Sequence, residues 1–213
     1  RDAANTCRTG AACHARLLRI VGGIEMKLYL LRHGETEGNR RMCYYGTTNL
    51  PLLPESVVKL QQNAARYPRA DHYYISGLLR TEQTLHALYG DVPYTVVPDL
   101  EELHFGIFEM HTHDELKDIP EYQEWLRDFE HNRCPGGESP DEVQQRSVRA
   151  VKALLQKGED AVCIVHGGVI TAILMYYFGG PRFGYNMQPG TGCCIEFTDG
   201  HARSWHRIPE ETK

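Results

Sequence analysis

The chain has 213 residues, of which 41% are hydrophobic and 24% charged, and its formal charge is −5. That length suits one domain with a sizeable core, and the composition excludes wholesale disorder. The acidic balance sets nucleic acid aside as a partner, and seven cysteines without a C-x-x-C pair argue for reduced thiols in the cytoplasm rather than disulfides or a zinc site.

Residues 1–25 carry Arg1, Arg8, Arg16 and Arg19 against Asp2 and Glu25, and lack the continuous apolar run of a secretory signal. They read as an extension outside the fold, ahead of a single domain over 26–213. Met26-Lys27-Leu28-Tyr29-Leu30-Leu31 reads as a buried strand, 55–67 as a helix, 72–76 as a second strand and 78–89 as a second helix. A third strand follows at 94–97, then helical patterns at 112–130 and 139–156. The last of these opens on Ser139 as N-cap, Pro140 in the first turn and Glu142 to close a capping box. The stretch 161–180 has no Asp, Glu, Lys or Arg. It breaks into a β-branched strand at 161–165, a glycine turn and a helix at 169–178, which fits a buried strand and helix better than a membrane span. Two strands around Asp199-Gly200 form a hairpin signal. Cys193 and Cys194 point to opposite faces of their strand, which leaves at most one of them for the core. Strands alternating with helices predict an α/β fold, a three-layer sandwich with a mostly parallel central sheet flanked by helices.

Ligands of such sheets bind beyond the carboxyl ends of the strands. Arg32-His33 follows the first strand, Ser76 to Thr81 with Arg80 the second, Glu101-Glu102 the third, and His166-Gly167-Gly168 the fourth. Two guanidiniums in one pocket repel unless an anion joins them, and their planar forks suit phosphate oxygens. The helix N-terminus at Gly167-Gly168 adds backbone donors for the same anion. A neutral imidazole such as that of His33 can attack phosphorus and pass the phosphoryl group on to water, provided that a carboxylic acid protonates the departing alkoxide. The guanidiniums then take the charge-neutralising role that metal ions play elsewhere. No metal-ligand spacing is convincing: His104, His111 and His113 lack the i,i+4 pairing of a helical site and read as pocket lining or surface.

At these residues LLRHGETEGN resembles the signature of the histidine phosphatase superfamily, also called phosphoglycerate mutase-like. YISGLLRTEQT, ELHFGIFE, PGGES and IVHGGVI follow in the family's order. The resemblance implies that His33 is the phosphorylated nucleophile, that Arg32 and Arg80 bind the phosphate, and that His166 is the second active-site histidine. It assigns the proton donor to Glu102, four residues before Gly106, with Glu101 as the neighbour to be told apart from it. Thr36, Asn39 and Gly167 match positions that line the phosphate pocket. No cofactor, nucleic acid or membrane is implied, and the partner expected is a small phosphorylated metabolite.

Two departures stand out: Asn49 to Ser56 differs from the family's entry to the first helix, and Met110 stands where the family often has glycine. The stretch around Met110 resembles α-ribazole phosphatase-type members. Cofactor-dependent phosphoglycerate mutases follow the second histidine with Gly-Asn, whereas Gly167-Gly168 resembles the phosphatases. A mutase and a catalytically silent phosphate-binding module are the alternatives.

Overall fold

The computed structural model describes residues 23–209, so the reading of an N-terminal extension falls, for residues 1–22, outside the described residues. Strand β1 (Glu25–Arg32) alternates burial along its first half, as a strand edge feeding a core does, and its end is buried on both faces. A one-turn helix α1 (Glu37–Arg40) and a two-residue strand β2 (Cys43–Tyr44) follow. Next come α2 (Pro54–Asn63), β3 (His72–Ile75), α3 (Leu79–Tyr89) and β4 (Thr95–Val96). The middle of the chain holds β5 (His111–Thr112), α4 (His113–Leu116) and α5 (Pro120–Arg127). The remainder runs α6 (Pro140–Leu155), β6 (Ala161–Val165), α7 (Gly167–Phe178), β7 (Gly192–Thr198) and β8 (His201–Ile208).

Six strands form one sheet in the order β4-β3-β6-β1-β7-β8. The first four are parallel and the β7–β8 hairpin adds antiparallel strands at one edge. At the hairpin tip Asp199 and Gly200 both take positive φ, 52° and 75°, as a tight turn matched to strand twist requires. β6 is buried at all five positions, which is why its sequence is an unbroken apolar run. One face of the sheet packs on α6 and α7 through Leu30, Cys163, Val151 and Ile173, and the other on α2 and α3 through Leu31, Ile164, Leu60 and Leu85. The expected three-layer sandwich is thus observed.

Three sequence expectations need correction. The pattern at 112–130 is broken into β5, α4 and α5, because Pro120 has no N–H to donate and pushes Ile119 to ψ 124°, outside the helical region. Thr112 then caps the single turn of α4 in a capping box with Glu115. The 55–67 helix ends as α-helix at Asn63, and its last turn tightens to a 3₁₀ turn over Ala64–Arg66. Cys193 and Cys194 do point to opposite faces, but both are buried, since helices cover both sides of the sheet and each sulfur enters a different core. The β2–β5 ribbon had no signal in the sequence, because two residues per strand cannot show a period of two.

Among the described residues no helix is long and apolar enough to cross a membrane.

Candidate active site

The parallel pairing of β1 with β6 runs in register from Leu28↔Ala161 to Arg32↔Val165. The residues one step beyond that last pair are His33 and His166, so strand register alone brings the two imidazoles together. Their ring centroids lie 5.1 Å apart, edge to face, and both side chains are buried.

His33 donates from Nδ1 to the carbonyl of Gly34 at 2.6 Å. Because a carbonyl only accepts, Nδ1 carries the hydrogen and Nε2 keeps its lone pair. Burial, and then the charges of Arg80 and Arg32, hold this histidine well below its ordinary value of 6.5, so the ring is neutral. A neutral ring with a fixed tautomer is the form that can attack.

His166 accepts at Nδ1 from Arg80 Nε at 3.3 Å, and its Nε2 meets Ser76 Oγ at 2.8 Å. Since a guanidinium only donates, the hydrogen of this ring sits on Nε2. Burial, Arg80, His33 and Arg32 again press the group well below its ordinary value. His166 therefore orients Arg80 as well as flanking His33.

The two arginines differ. Arg80 is fully buried and spans three acceptors: His166 Nδ1, the Thr48 carbonyl at 3.0 Å and the Gly46 carbonyl at 2.7 Å. Its guanidinium also lies 4.9 Å above the ring of Tyr45. Arg32 donates from Nη1 to the Met187 carbonyl at 2.6 Å, but its Nε is buried with no acceptor. A buried charged donor left unpaired is costly unless a ligand supplies the acceptor.

Glu102 sits at the N-terminus of α7, with Oε2 accepting from the Gly168 N–H at 3.1 Å and Oε1 from Leu103 N–H at 3.0 Å. The two glycines after His166 permit these approaches. A Cβ on Gly167 would lie 3.2 Å from Arg32 Cζ, and one on Gly168 would lie 2.4 Å from Glu102 Oε1. Any side chain at position 168 thus displaces the carboxylate.

Thr36 and Asn39 form the cap of α1. Asn39 Oδ1 accepts from Thr36 N–H at 3.1 Å and from Tyr45 Oη at 2.9 Å, while Thr36 Oγ1 meets the same tyrosine hydroxyl at 2.6 Å. Asn39 borders a polar cavity of about 620 Å³ that also touches Arg32, whereas Thr36 is spent on the cap. Tyr44 and Tyr45, adjacent in sequence, part company: Tyr45 lies under Arg80, and Tyr44 donates to or accepts from Tyr122 at 2.7 Å in an aromatic cluster with Phe105 and Trp125. Of the three clustered histidines, His111 bonds the Glu109 carbonyl, His113 the Tyr122 hydroxyl and His104 packs beside the PGGES turn.

Three residues that hold the site together were given no role by the sequence, although Glu109 closes ELHFGIFE and Glu138 lies in PGGES. Glu109 accepts N–H groups from Gly46, Thr47, Thr48 and Phe105 at 2.8–3.2 Å, and the Thr48 hydroxyl at 2.6 Å. Burial pushes its carboxyl up, but these donors outweigh it and bring it below its ordinary value. By fixing residues 46–48 it fixes the two carbonyls that hold Arg80. Arg146, on α6, donates to the carbonyls of Asp99, Glu101 and Glu102 at 2.6–3.0 Å, and pairs with both oxygens of Glu138. Glu138 in turn accepts the His104 N–H at 3.1 Å. The segment bearing Glu102 is therefore clasped from both ends.

Residues 28–206 match a family model described as the histidine phosphatase superfamily, branch 1. The adenosylcobalamin/alpha-ribazole phosphatase of Escherichia coli K12 is 29% identical over 164 residues, 73% of this chain and 81% of its own. The structure of the alpha-ribazole phosphatase from Shigella flexneri superposes with a TM-score of 0.76 at 26% identity, over 83% of this chain and 93% of that one. The structure of a phosphoglycerate mutase from Thermus thermophilus gives a TM-score of 0.67 at 32% identity, over 80% and 92% of the two chains.

Proposed function

Because the chain belongs to the histidine phosphatase superfamily, branch 1, and is an enzyme of the phosphatase kind that works through a phosphohistidine, we propose that His33 is the residue it phosphorylates. The observation that carries this assignment is the buried, unpaired Nε of Arg32 next to a neutral His33 whose Nε2 is free to attack. A dianionic phosphoryl group placed between Arg32 and Arg80 supplies the missing acceptor and neutralises the pocket.

The reaction then runs in two displacements. The Nε2 lone pair of His33 forms a bond to phosphorus, the ester P–O bond breaks, and its electron pair leaves with the alcohol oxygen, which takes a proton from Glu102. Glu102 is held by two backbone N–H groups, and a carboxyl has lone-pair sites left over for that proton. Water next attacks the phosphohistidine, Glu102 takes the proton of that water, and the N–P bond breaks to return the pair to Nε2. Arg32, Arg80 and His166 hold the phosphoryl group or its holders throughout. Gly168, where the resemblance puts asparagine in mutases, supports a hydrolase rather than a mutase. The relatives' names, with the fit of a small phosphoryl group, support a small phosphomonoester of cobalamin metabolism or similar chemistry as substrate. The free thiols among the described residues, Cys43, Cys134, Cys163, Cys193 and Cys194, support a cytoplasmic setting.

The test is a single-turnover reaction with p-nitrophenyl phosphate in EDTA, quenched in alkaline detergent to preserve N–P bonds. Wild type should yield a phosphoprotein labelled at His33, and His33→Ala should yield none while keeping its circular dichroism. Turnover without a labelled histidine would overturn the assignment.

A further inference from the structure

We propose that Ser56 and Thr84 are positioning residues for the attack on phosphorus: their hydroxyls hold the two peptide groups that flank Gly34, and so keep in place the carbonyl that fixes the tautomer of His33. This rests on the reading of His33 as the nucleophile and deepens it. Strand register places the backbone of His33, whose N–H donates to the Val165 carbonyl at 3.0 Å. The next main-chain anchor is the Glu35 carbonyl, which accepts from the Leu53 N–H at 2.9 Å. Between these anchors, side chains hold the backbone. The Gly34 N–H donates to Thr84 Oγ1 at 2.9 Å and the Glu35 N–H to Ser56 Oγ at 2.8 Å, and both of these residues are buried. Thr84 Oγ1 directs its own hydrogen to the Arg80 carbonyl at 2.7 Å, which leaves a lone pair aimed at Gly34. The fit is close: a Cβ at position 34 would lie 2.7 Å from Ser56 Oγ.

A trans peptide group is planar, and its N–H and C=O point in opposite directions. Fixing the Glu35 N–H on Ser56 therefore fixes the direction of the Gly34 carbonyl, the acceptor of His33 Nδ1–H at 2.6 Å. Thr84 holds the peptide group before it, so Gly34, which has no Cβ to restrain it, cannot turn on either side without breaking a hydrogen bond. In the attack the Nε2 lone pair forms the N–P bond, Nδ1 keeps its hydrogen and the ring becomes positively charged. The bond from Nδ1–H to the carbonyl is then charge-assisted, roughly twice as strong as before. An interaction that strengthens on the way to the transition state acts on rate and not on binding. A ring with its hydrogen on Nε2 cannot attack at all. Ser56 ends the stretch from Asn49 in which the chain departs from the family's entry to the first helix, so this half of the clamp is not part of the resemblance.

The test reads the tautomer directly, by nitrogen NMR of the histidine-labelled chain, with His33→Ala to locate the His33 signals. Wild type should show one tautomer, with hydrogen on Nδ1 and none on Nε2. Ser56→Ala, a change that a helix accepts readily, should show both tautomers. Its single-turnover rate of phosphoenzyme formation should fall on the order of tenfold, as reacting groups held out of line do. The fall should be the same on alkyl and nitrophenyl esters, and Kd for inorganic phosphate should stay within about twofold of wild type, because the arginines are untouched. Thr84→Val should act in the same direction, and Thr84→Ser, which keeps the hydroxyl, should restore the single tautomer and the rate. A merely structural role would lower Tm without mixing the tautomers. A Ser56→Ala chain that keeps the single Nδ1–H tautomer therefore overturns the proposal, whatever its rate. Since the tautomer is read without substrate, a wild type that forms no phosphohistidine overturns the phosphatase reading, and the spectrum still decides the clamp.

Discussion

On one wall of the pocket, His33 and His166 stand at the ends of β1 and β6, and five backbone pairs from Leu28↔Ala161 to Arg32↔Val165 set their spacing. On the opposite wall, Glu102 rides on a segment with no strand, between a 3₁₀ turn over Pro98–Leu100 and another over Gly106–Phe108. Its backbone is held by Arg146 and, through His104, by Glu138. The strand wall owes its geometry to main-chain hydrogen bonds that any sequence of the right pattern makes. The loop wall owes it to three charged side chains reaching across the chain from positions 109, 138 and 146. A lesion on the first removes a reacting group and leaves its surroundings in place; a lesion on the second moves a reacting group without touching it.

The sharpest way to separate the walls is by leaving group. Glu102→Gln keeps the shape of the loop wall and removes its proton. We expect kcat on an alkyl phosphate to fall by roughly 10²–10⁴, the usual contribution of a general acid, and kcat on p-nitrophenyl phosphate to fall far less, since nitrophenolate departs unprotonated. Equal losses on both esters would move the acid role elsewhere, Glu101 first. A lesion of the strand wall, by contrast, hits the attack on phosphorus and costs both esters alike.

Glu109→Gln breaks the comparison in an instructive way, because Glu109 belongs to the loop wall but serves Arg80. The amide nitrogen would face the N–H groups of Gly46, Thr47, Thr48 or Phe105, donor against donor, and release the Gly46 and Thr48 carbonyls from their places around the Arg80 guanidinium. The loss of stability should be about 1–3 kcal/mol, the cost of buried donors left unpaired. Its kinetic mark is a KM raised on the order of tenfold on alkyl and nitrophenyl esters alike, with their ratio unchanged. A ratio that shifts as it does in Glu102→Gln would place Glu109 with the acid and not with the phosphate.

How much of each wall was legible beforehand follows from the same contrast. The strand wall was readable because apolar runs mark where strands end, and a parallel sheet assembles those ends; Arg32, His33, Arg80 and His166 all lie within a few residues of a strand's last position. The fold followed from the same periodicities. The tasks of Glu109 and Arg146 were illegible because each acts on backbone groups tens of residues away, and a single charge on a loop or on the polar side of an amphipathic helix has the same local pattern as a solvated one. Glu109 and Glu138 were visible only inside ELHFGIFE and PGGES, as parts of motifs without a stated task for either. The break in 112–130 is legible in Pro120, a residue that cannot continue a helix, even though the helical period runs past it.

The strand wall has a cost that pH exposes. His33 and His166 are held below their ordinary value of 6.5 by burial and by the arginines, so the unfolded chain binds more protons than the folded one between that value and the folded one. Stability therefore falls as pH drops through 6.5. Glu109 and Glu130, whose carboxyls lie below 4.5 in the folded state, add their loss only at more acid pH. His131, raised by Asp128 on the exposed surface, acts in the opposite direction but weakly. Differential scanning calorimetry should show Tm declining between neutral pH and about pH 5, and added inorganic phosphate should recover part of it by binding the folded state. A flat Tm over that interval would mean that the two imidazoles charge freely and that the strand wall is more open than its burial implies.

The smallest effect concerns the loop wall's backbone. Met110 has φ 63°, in the left-handed region where a side chain crowds the following carbonyl, and its N–H donates to the Tyr44 carbonyl at 2.7 Å. This is the position where the family often has glycine, so the residue after Glu109 must take this conformation to turn the chain into the β2–β5 ribbon, and here a methionine takes it at a strain of about 1 kcal/mol. Met110→Gly relieves that strain but gives the unfolded chain more freedom, so the net gain is under ~1 kcal/mol and Tm should rise by about 2 °C or less for a chain of this size. The substitution touches neither Glu109's carboxyl nor Arg146's carbonyls, so the alkyl-to-nitrophenyl ratio should stay that of the wild type. A Tm that falls would show that the methionine side chain contributes more through packing than its backbone loses, and that the loop wall here tolerates strain because a side chain, once again, holds it.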